Sequence, residues 1–215
     1  MKAGGRFITL EGGEGAGKST QARLLADWLK GKGIEPLLTR EPGGSPRAEA
    51  LRELLLSGRF AAAGADSEAL AFALARADHL AATIRPALAA GGWVISDRFM
   101  DSTRAYQGSA GADSALLDLL EAIVVGFDRP DLTLILDLPP ELGMARMRQR
   151  KAAPDRFERD APAHHAARRR VYLQLAAREP ERCVVIDASP PPPEVAAAIR
   201  ETVAARLLPG RDGGA

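Results

Sequence analysis

Phe7-Ile8-Thr9-Leu10-Glu11-Gly12-Gly13-Glu14-Gly15-Ala16-Gly17-Lys18-Ser19-Thr20 is the stretch on which the fold turns. Phe7 to Leu10 reads as a buried strand, and the apolar spacing after it predicts a helix over 18–32, closed by Gly33. Between them, Gly12 to Ser19 has the spacing G-x-x-x-x-G-K-[ST]. Glycines let a backbone wrap an anion with its N–H groups turned inward, and the following helix N-terminus adds a favourable dipole. In that arrangement Lys18 reaches the β- and γ-phosphates of ATP and the Ser19 hydroxyl ligates Mg²⁺. Gly12, Gly13, Glu14, Gly15, Ala16, Gly17 and Thr20 complete the cradle.

Outward from this loop, strand-like runs alternate with helix-like ones. Strands are expected at Glu35 to Thr39, Trp93 to Asp97, Leu132 to Leu138 and Cys183 to Asp187. Helices are expected at Ala48 to Leu56, Ser67 to Ala90 with an interruption at Pro86, Ser114 to Val125, Pro140 to Arg150, Pro162 to Arg178 and Glu194 to Leu208. Such alternation argues for an α/β fold, a parallel sheet covered by helices on both faces. Residues 1–208 read as a single domain and 209–215 as a flexible tail. The proline run at Pro190 to Pro193 reads as a spacer before the last helix. Arg59 to Ala65 and the Arg-rich region around Arg150 to Asp160 read as mobile surface segments.

Composition narrows the partners. The 215 residues carry 29 Lys+Arg against 28 Asp+Glu, a net charge of +1, which argues against a nucleic-acid binder or a protein held on an anionic membrane. No apolar run approaches the roughly 20 residues of a membrane span, and no secretion signal is visible. The one cysteine, Cys183, stands before Val184, Val185 and Ile186 and reads as a core side chain; a cytoplasmic location fits. None of the lysines lies in an N-K-x-D stretch, so nothing here reads guanine as a GTPase would.

A second binding region is legible. Val94-Ile95-Ser96-Asp97-Arg98 places Asp97 at the end of an apolar strand, where parallel sheets bind ligands. Its carboxylate can hold Mg²⁺ directly or through water, and Arg98 can clamp a phosphate oxygen. Phe72, Arg76 and His79 share one helix face. A ring beside a guanidinium suits a planar base, although the same spacing is that of plain core packing. His79 reads as a structural hydrogen-bonder.

Three segments in order carry a specific likeness: Phe7 to Gln21, Thr39-Arg40-Glu41-Pro42-Gly43-Gly44, and Asp97-Arg98-Phe99-Met100-Asp101-Ser102-Thr103-Arg104-Ala105-Tyr106-Gln107-Gly108. With Phe72 to His79, Arg85-Pro86-Ala87-Leu88, Pro130 to Asp137 and the Arg-rich stretch, the chain resembles the bacterial thymidylate kinases over nearly its whole length. The resemblance implies a three-layer P-loop kinase fold with a five-stranded parallel sheet and a mobile Arg-rich lid over about 146–160. It implies transfer of the ATP γ-phosphoryl group to dTMP in a homodimer. It implies further that Phe72 stacks on thymine, Arg76 donates to a base carbonyl and Pro42 lines the side near the 5-methyl group. Arg98, with Arg40 a weaker candidate, would hold the acceptor phosphate. Ser102, Thr103 and Gln107 would lie at the base, Tyr106 against the deoxyribose and Glu14 near the 3′-hydroxyl. Phe99 departs from the family, which usually has Tyr or His there, so ring packing survives without a hydrogen bond.

Charge distribution supports the lid. Residues 146–170 hold nine basic and three acidic side chains, a net +6 that leaves −5 on the remainder. The variable positions of the phosphate loop hold no cation, so an arginine must come from elsewhere to the transferring group. Arg150 is the first choice, with Arg146, Arg148 and Arg156 as alternates; Arg168 to Arg170 read as a solvated face. The competing readings are a kinase for another (deoxy)nucleoside monophosphate and a non-catalytic, ATP-dependent scaffold.

Overall fold

The computed structural model describes residues 5–149 and 156–208. Five strands, β1 (Arg6–Gly12), β2 (Pro36–Arg40), β3 (Trp93–Asp97), β4 (Leu132–Asp137) and β5 (Cys183–Asp187), form one parallel sheet in the order β2-β3-β1-β4-β5. The helices are α1 (Lys18–Lys30), α2 (Pro46–Leu56), α3 (Gly64–His79), α4 (Arg85–Ala89), α5 (Met100–Thr103), α6 (Ser114–Val124), α7 (Pro140–Gln149), α8 (Pro162–Arg178) and α9 (Pro192–Leu207).

Side-chain alternation along β1 sorts the two faces of the sheet. Ile8 and Leu10 point to α1 and α9, joining Leu25, Leu29, Leu134 and Ile199 in the larger core cluster. Phe7 points the other way, to Leu80, Ile84 and Phe99. Each fully buried Leu or Ile of this kind contributes on the order of 1.5–3 kcal/mol. The second face is also where polar groups are buried: Thr9 and Thr133 share a 2.8 Å hydrogen bond, and Arg182 donates to Asp101 at 2.7 and 2.9 Å.

The expected break at Pro86 lies earlier than the sequence reading put it. Between α3 and α4 the chain makes a π-helical turn, Leu80–Ile84. Proline lacks an N–H and its ring presses on the carbonyl four residues back, so a widened turn ahead of Pro86 relieves the clash. A helical run from Met100, continued through a π turn at Arg104–Gly108, was not expected at all. It matters, because it carries Ser102, Thr103, Tyr106 and Gln107.

The order β2-β3-β1-β4-β5 puts the reversal of strand order beside β1, and the register aligns Leu10 with Asp97. The loops leaving β1 and β3 therefore emerge side by side at the carboxyl edge, where open α/β sheets bind ligands.

Candidate active site

The loop after β1 wraps as its glycines require. Gly12 has φ 136, and a Cβ there would collide with the Leu136 carbonyl; Gly17, with φ 88, opens α1. Lys18 is 7% exposed and folds back over the loop, Nζ donating to the Gly12 and Gly13 carbonyls at 3.0 and 2.8 Å. Burial, and then the neighbouring Arg98, lower its ammonium pKa to about 8. The Ser19 hydroxyl donates to Asp97 Oδ2, joining β1's loop to the end of β3.

Arg98, the residue after Asp97, has φ 72, a left-handed backbone that an arginine adopts only when its surroundings impose it. They do so from three sides. Its N–H donates to the Leu10 carbonyl at 2.9 Å, its carbonyl accepts from Ser96 Oγ at 2.7 Å, and the next N–H, of Phe99, donates to Glu11 Oε1 at 2.7 Å. The result aims the guanidinium across the phosphate loop. Nη2 donates to Glu14 Oε1 at 2.7 Å and Tyr106 Oη at 2.9 Å, and Nη1 to Ser102 Oγ at 3.1 Å.

Burial by itself would raise the Glu14 carboxyl, but Arg98, Lys18 and the Tyr106 hydroxyl outweigh it and hold the group at about 2. Since the folded value lies below the ordinary 4.5, Glu14 adds stability that is complete above about pH 4.5 and lost as pH falls toward 2. Denaturant unfolding of Glu14→Gln against the parent should show a stability gap that narrows between pH 5 and 2; a constant gap contradicts this charge arrangement.

A cavity of about 520 Å³ opens beside these groups, lined by Glu14, Gly15, Gly17, Lys18, Ser19 and Thr20 on one side and by Asp97, Arg98, Ser102, Thr103, Tyr106 and Gln107 on another. Arg40, Pro42, Phe72 and Arg76 close it. Nearly every residue singled out above thus meets at one cavity. Gly12, Gly13 and Ala16 belong to the loop but do not line this cavity, and Arg150 lies outside the described residues.

Several of these side chains already have partners. Arg40 pairs with Glu49 at 3.0 Å on the surface. Arg76 is 6% exposed: Nε donates to Glu41 Oε2 at 2.7 Å, Nη2 to the Phe99 carbonyl and Thr103 Oγ1, both at 3.0 Å. His79 is hydrogen-bonded at both ring nitrogens, to Thr39 at 2.7 Å and Glu41 at 3.1 Å. Ser102 lines the cavity with its hydroxyl donating to Glu11 Oε2 at 2.6 Å. Phe99 is fully buried edge-on to Phe7, with the Arg76 guanidinium 5.2 Å from its ring centre.

A family model described as thymidylate kinase matches residues 10–199. The chain belongs to the thymidylate kinase family. It is 56% identical over 214 residues to a thymidylate kinase of Rhodopseudomonas palustris, covering 97% of this chain and 93% of that protein. It is 51% identical over 208 residues to one of Bradyrhizobium diazoefficiens, covering 95% and 91%. Among solved structures, thymidylate kinase from Ehrlichia chaffeensis superposes with a TM-score of 0.76 at 32% identity, covering 93% of this chain and 99% of that one. The five-stranded parallel sheet flanked by helices agrees with that neighbour.

Other residues of this site escaped the sequence reading. Glu11 is fully buried, and burial, followed by the charge of Asp101, lifts its carboxyl to about 7. Its place in the phosphate-loop strand was visible; that alternation turns it inward beneath Arg98 was not. Glu41 and Tyr172 were likewise silent, and Phe157 joins the cavity wall by packing edge-on to Tyr106 at 5.2 Å. Arg168 corrects an expectation: it is 5% exposed, not solvated, with its guanidinium 4.2 Å from the Tyr106 ring centre and a bond to Asp160. A run of arginines hides which one turns inward, since helix phase relative to the sheet decides it. Arg169 pairs with Asp137 at 2.7 Å, and Arg170 is exposed as expected. Of the alternates for the transferring group, Arg146 lines the cavity and donates to the Ala188 and Ser189 carbonyls, Arg148 is exposed, and Arg156 pairs with Glu68.

Proposed function

We propose that this chain transfers the γ-phosphoryl group of ATP to dTMP, giving dTDP and ADP, as a step of dTTP synthesis. The observation that carries it is the convergence, at one cavity, of the Lys18 loop with an arginine held at φ 72 and a ring-and-guanidinium wall, Phe72 with Arg76. The phosphate loop binds the donor; Arg98 and, more weakly, Arg40 take the acceptor's phosphate. Phe72 stacks on the base, Arg76 donates to a base carbonyl and Pro42 lies toward the 5-methyl group. Thr103 and Gln107 border the base with Ser102 beneath, Tyr106 lies against the deoxyribose and Glu14 faces the 3′-hydroxyl.

The reaction makes one bond and breaks one. An acceptor phosphate oxygen attacks the γ-phosphorus, the bond from that phosphorus to the β,γ-bridging oxygen breaks, and ADP leaves with the electron pair. The attacking oxygen is ionised near pH 7, so the protein supplies position and positive charge, with no base. Lys18 and Arg98 flank the path of the transferred group. Arg150 is the arginine proposed to cover it from a lid over about 146–160, within the single domain of 1–208.

Ser19 and Asp97 fit Mg²⁺. They bring a hydroxyl and a carboxylate oxygen together at the cavity, hard donors of the kind Mg²⁺ takes. Mg²⁺ commonly keeps several waters and is held by one or two protein oxygens together with substrate phosphate oxygens. Bound there, Mg²⁺ would neutralise charge between the β- and γ-phosphates.

The enzyme is proposed to be a cytoplasmic homodimer; no helix among the described residues is long and apolar enough to cross a membrane. Supporting the dimer, α3 and α6 pack on each other yet leave Leu70, Leu74, Leu119 and Ile123 exposed, with Phe127 just beyond.

A coupled ADP-release assay with ATP and Mg²⁺ across nucleoside monophosphates tests the reading. dTMP should turn over fastest. Equal rates with dCMP, dGMP or UMP would overturn the substrate assignment, and ATP binding with no turnover of any acceptor would favour the scaffold.

A further inference from the structure

One buried carboxylate outside the phosphate machinery is bonded to a side chain of the cavity wall. Glu68, near the start of α3, is 4% exposed, and its two oxygens face different partners: Oε2 accepts from Gln107 Nε2 at 2.9 Å, while Oε1 is paired with Arg156 Nη1 at 2.5 Å. Gln107 is itself 1% exposed and lines the cavity. A carboxamide can offer a ligand either its NH₂ or its carbonyl oxygen. Beside a carboxylate, which only accepts, there is no such choice. The NH₂ must face Glu68, because turning the amide round would set oxygen against oxygen. The other carboxylate oxygen carries the ion pair to Arg156.

Gln107 Oε1 is therefore the atom left to offer, and no described residue donates to it. Arg76, which can only donate, reaches Thr103 at 3.0 Å, one helical turn before Gln107. The same cavity is thus lined by a donor, Arg76, and by Gln107 with its acceptor oxygen unused. Thymine and uracil carry the matching edge, a C4 carbonyl next to an N3–H. Cytosine carries the reverse, an amino group next to a bare ring nitrogen.

We propose that Glu68 is a specificity-determining positioning residue: by holding the Gln107 amide with its oxygen to the cavity, it selects pyrimidines with a carbonyl beside an N–H and rejects cytosine. This rests on the reading above, in which Arg76 and Gln107 border the base. Glu68 never touches the ligand. Its influence passes through the orientation of one amide.

Glu68→Gln and Glu68→Met each remove the obligate acceptor, and the assay compares dTMP, dUMP and dCMP. The ratio of kcat/KM for dTMP over dCMP should drop at least about 10-fold, the scale of one misplaced hydrogen bond. The change should lie in the acceptor KM, with dUMP following dTMP and the ATP KM unmoved, a pattern that mere loss of packing does not produce. A folded variant with an unchanged ratio overturns the proposal. Gln107→Ala separates the two layers: an unchanged dTMP KM removes Gln107 from the base and both readings with it, whereas a raised KM beside an unchanged Glu68 ratio sinks only the role of Glu68. If neither Glu68 variant folds, the side-chain amide protons of Gln107 in the unaltered enzyme decide by NMR. Protection from solvent exchange is expected, and free exchange overturns the proposal.

Discussion

Arg98→Ala is expected to lower kcat/KM for the acceptor by about 10³, most of it in turnover. Arg98 reaches the phosphate loop from the end of β3: it spans Glu14, Tyr106 and Ser102 with bonds of 2.7 to 3.1 Å. In the proposed reaction those donors are transferred to the acceptor phosphate, where negative charge accumulates as the γ-phosphoryl group passes. Alanine keeps a Cβ at φ 72, so the backbone strain stays and only the side chain is lost. Arg98→Lys keeps the charge without the planar fork and should recover only a small part of the rate. Steady-state kinetics in both substrates check this; an alanine variant within tenfold of the parent would take Arg98 out of the reaction.

The second large effect is expected at a residue with no chemistry. Gly143 of α7 lies against the phosphate loop so closely that a Cβ on it would stand 2.5 Å from the Glu14 carbonyl oxygen, and a Cβ on Gly15 would strike Gly143 in return. Both obstacles are backbone, which cannot swing aside. Gly143→Ala should push the loop away from α7, cost about 1–3 kcal/mol as an overpacked contact, and raise the ATP KM at least about tenfold. Gly31→Ala is the control, since its Cβ would meet nothing nearer than 3.4 Å. Thermal unfolding with and without ATP and an ATP titration read both effects, and an unaltered ATP KM would show that the loop yields more readily than this packing allows.

Much of this was legible beforehand because it is local. Strands β3 and β5 and helix α8 have the bounds expected from their residues, and the phosphate loop is a contiguous motif whose glycines, lysine and serine act within one turn. Other parts were illegible for equally physical reasons. The helical run at 100–108 has no apolar periodicity of its own, because it is held by the polar groups of Glu11, Glu68 and Arg76. Arg168 could not be told from Arg170, since two residues' difference in helix phase decides between burial against Tyr106 and water. Glu68 and Gln107 are 39 residues apart and meet only when α3 is laid beside the π turn.

The sequence by itself determined the α/β class, the family likeness and the loop that grips phosphate, because periodicity and a contiguous motif are written in neighbouring residues. Only the tertiary structure decided how the acceptor side is built. There the groups come from β1, β2, α3, β3 and the turn after it, and their roles depend on which donor faces which acceptor. Burial then makes each pairing consequential: away from water an unmet polar group is costly, so Glu14 is held to Arg98, Glu41 to Arg76 and Glu68 to Gln107.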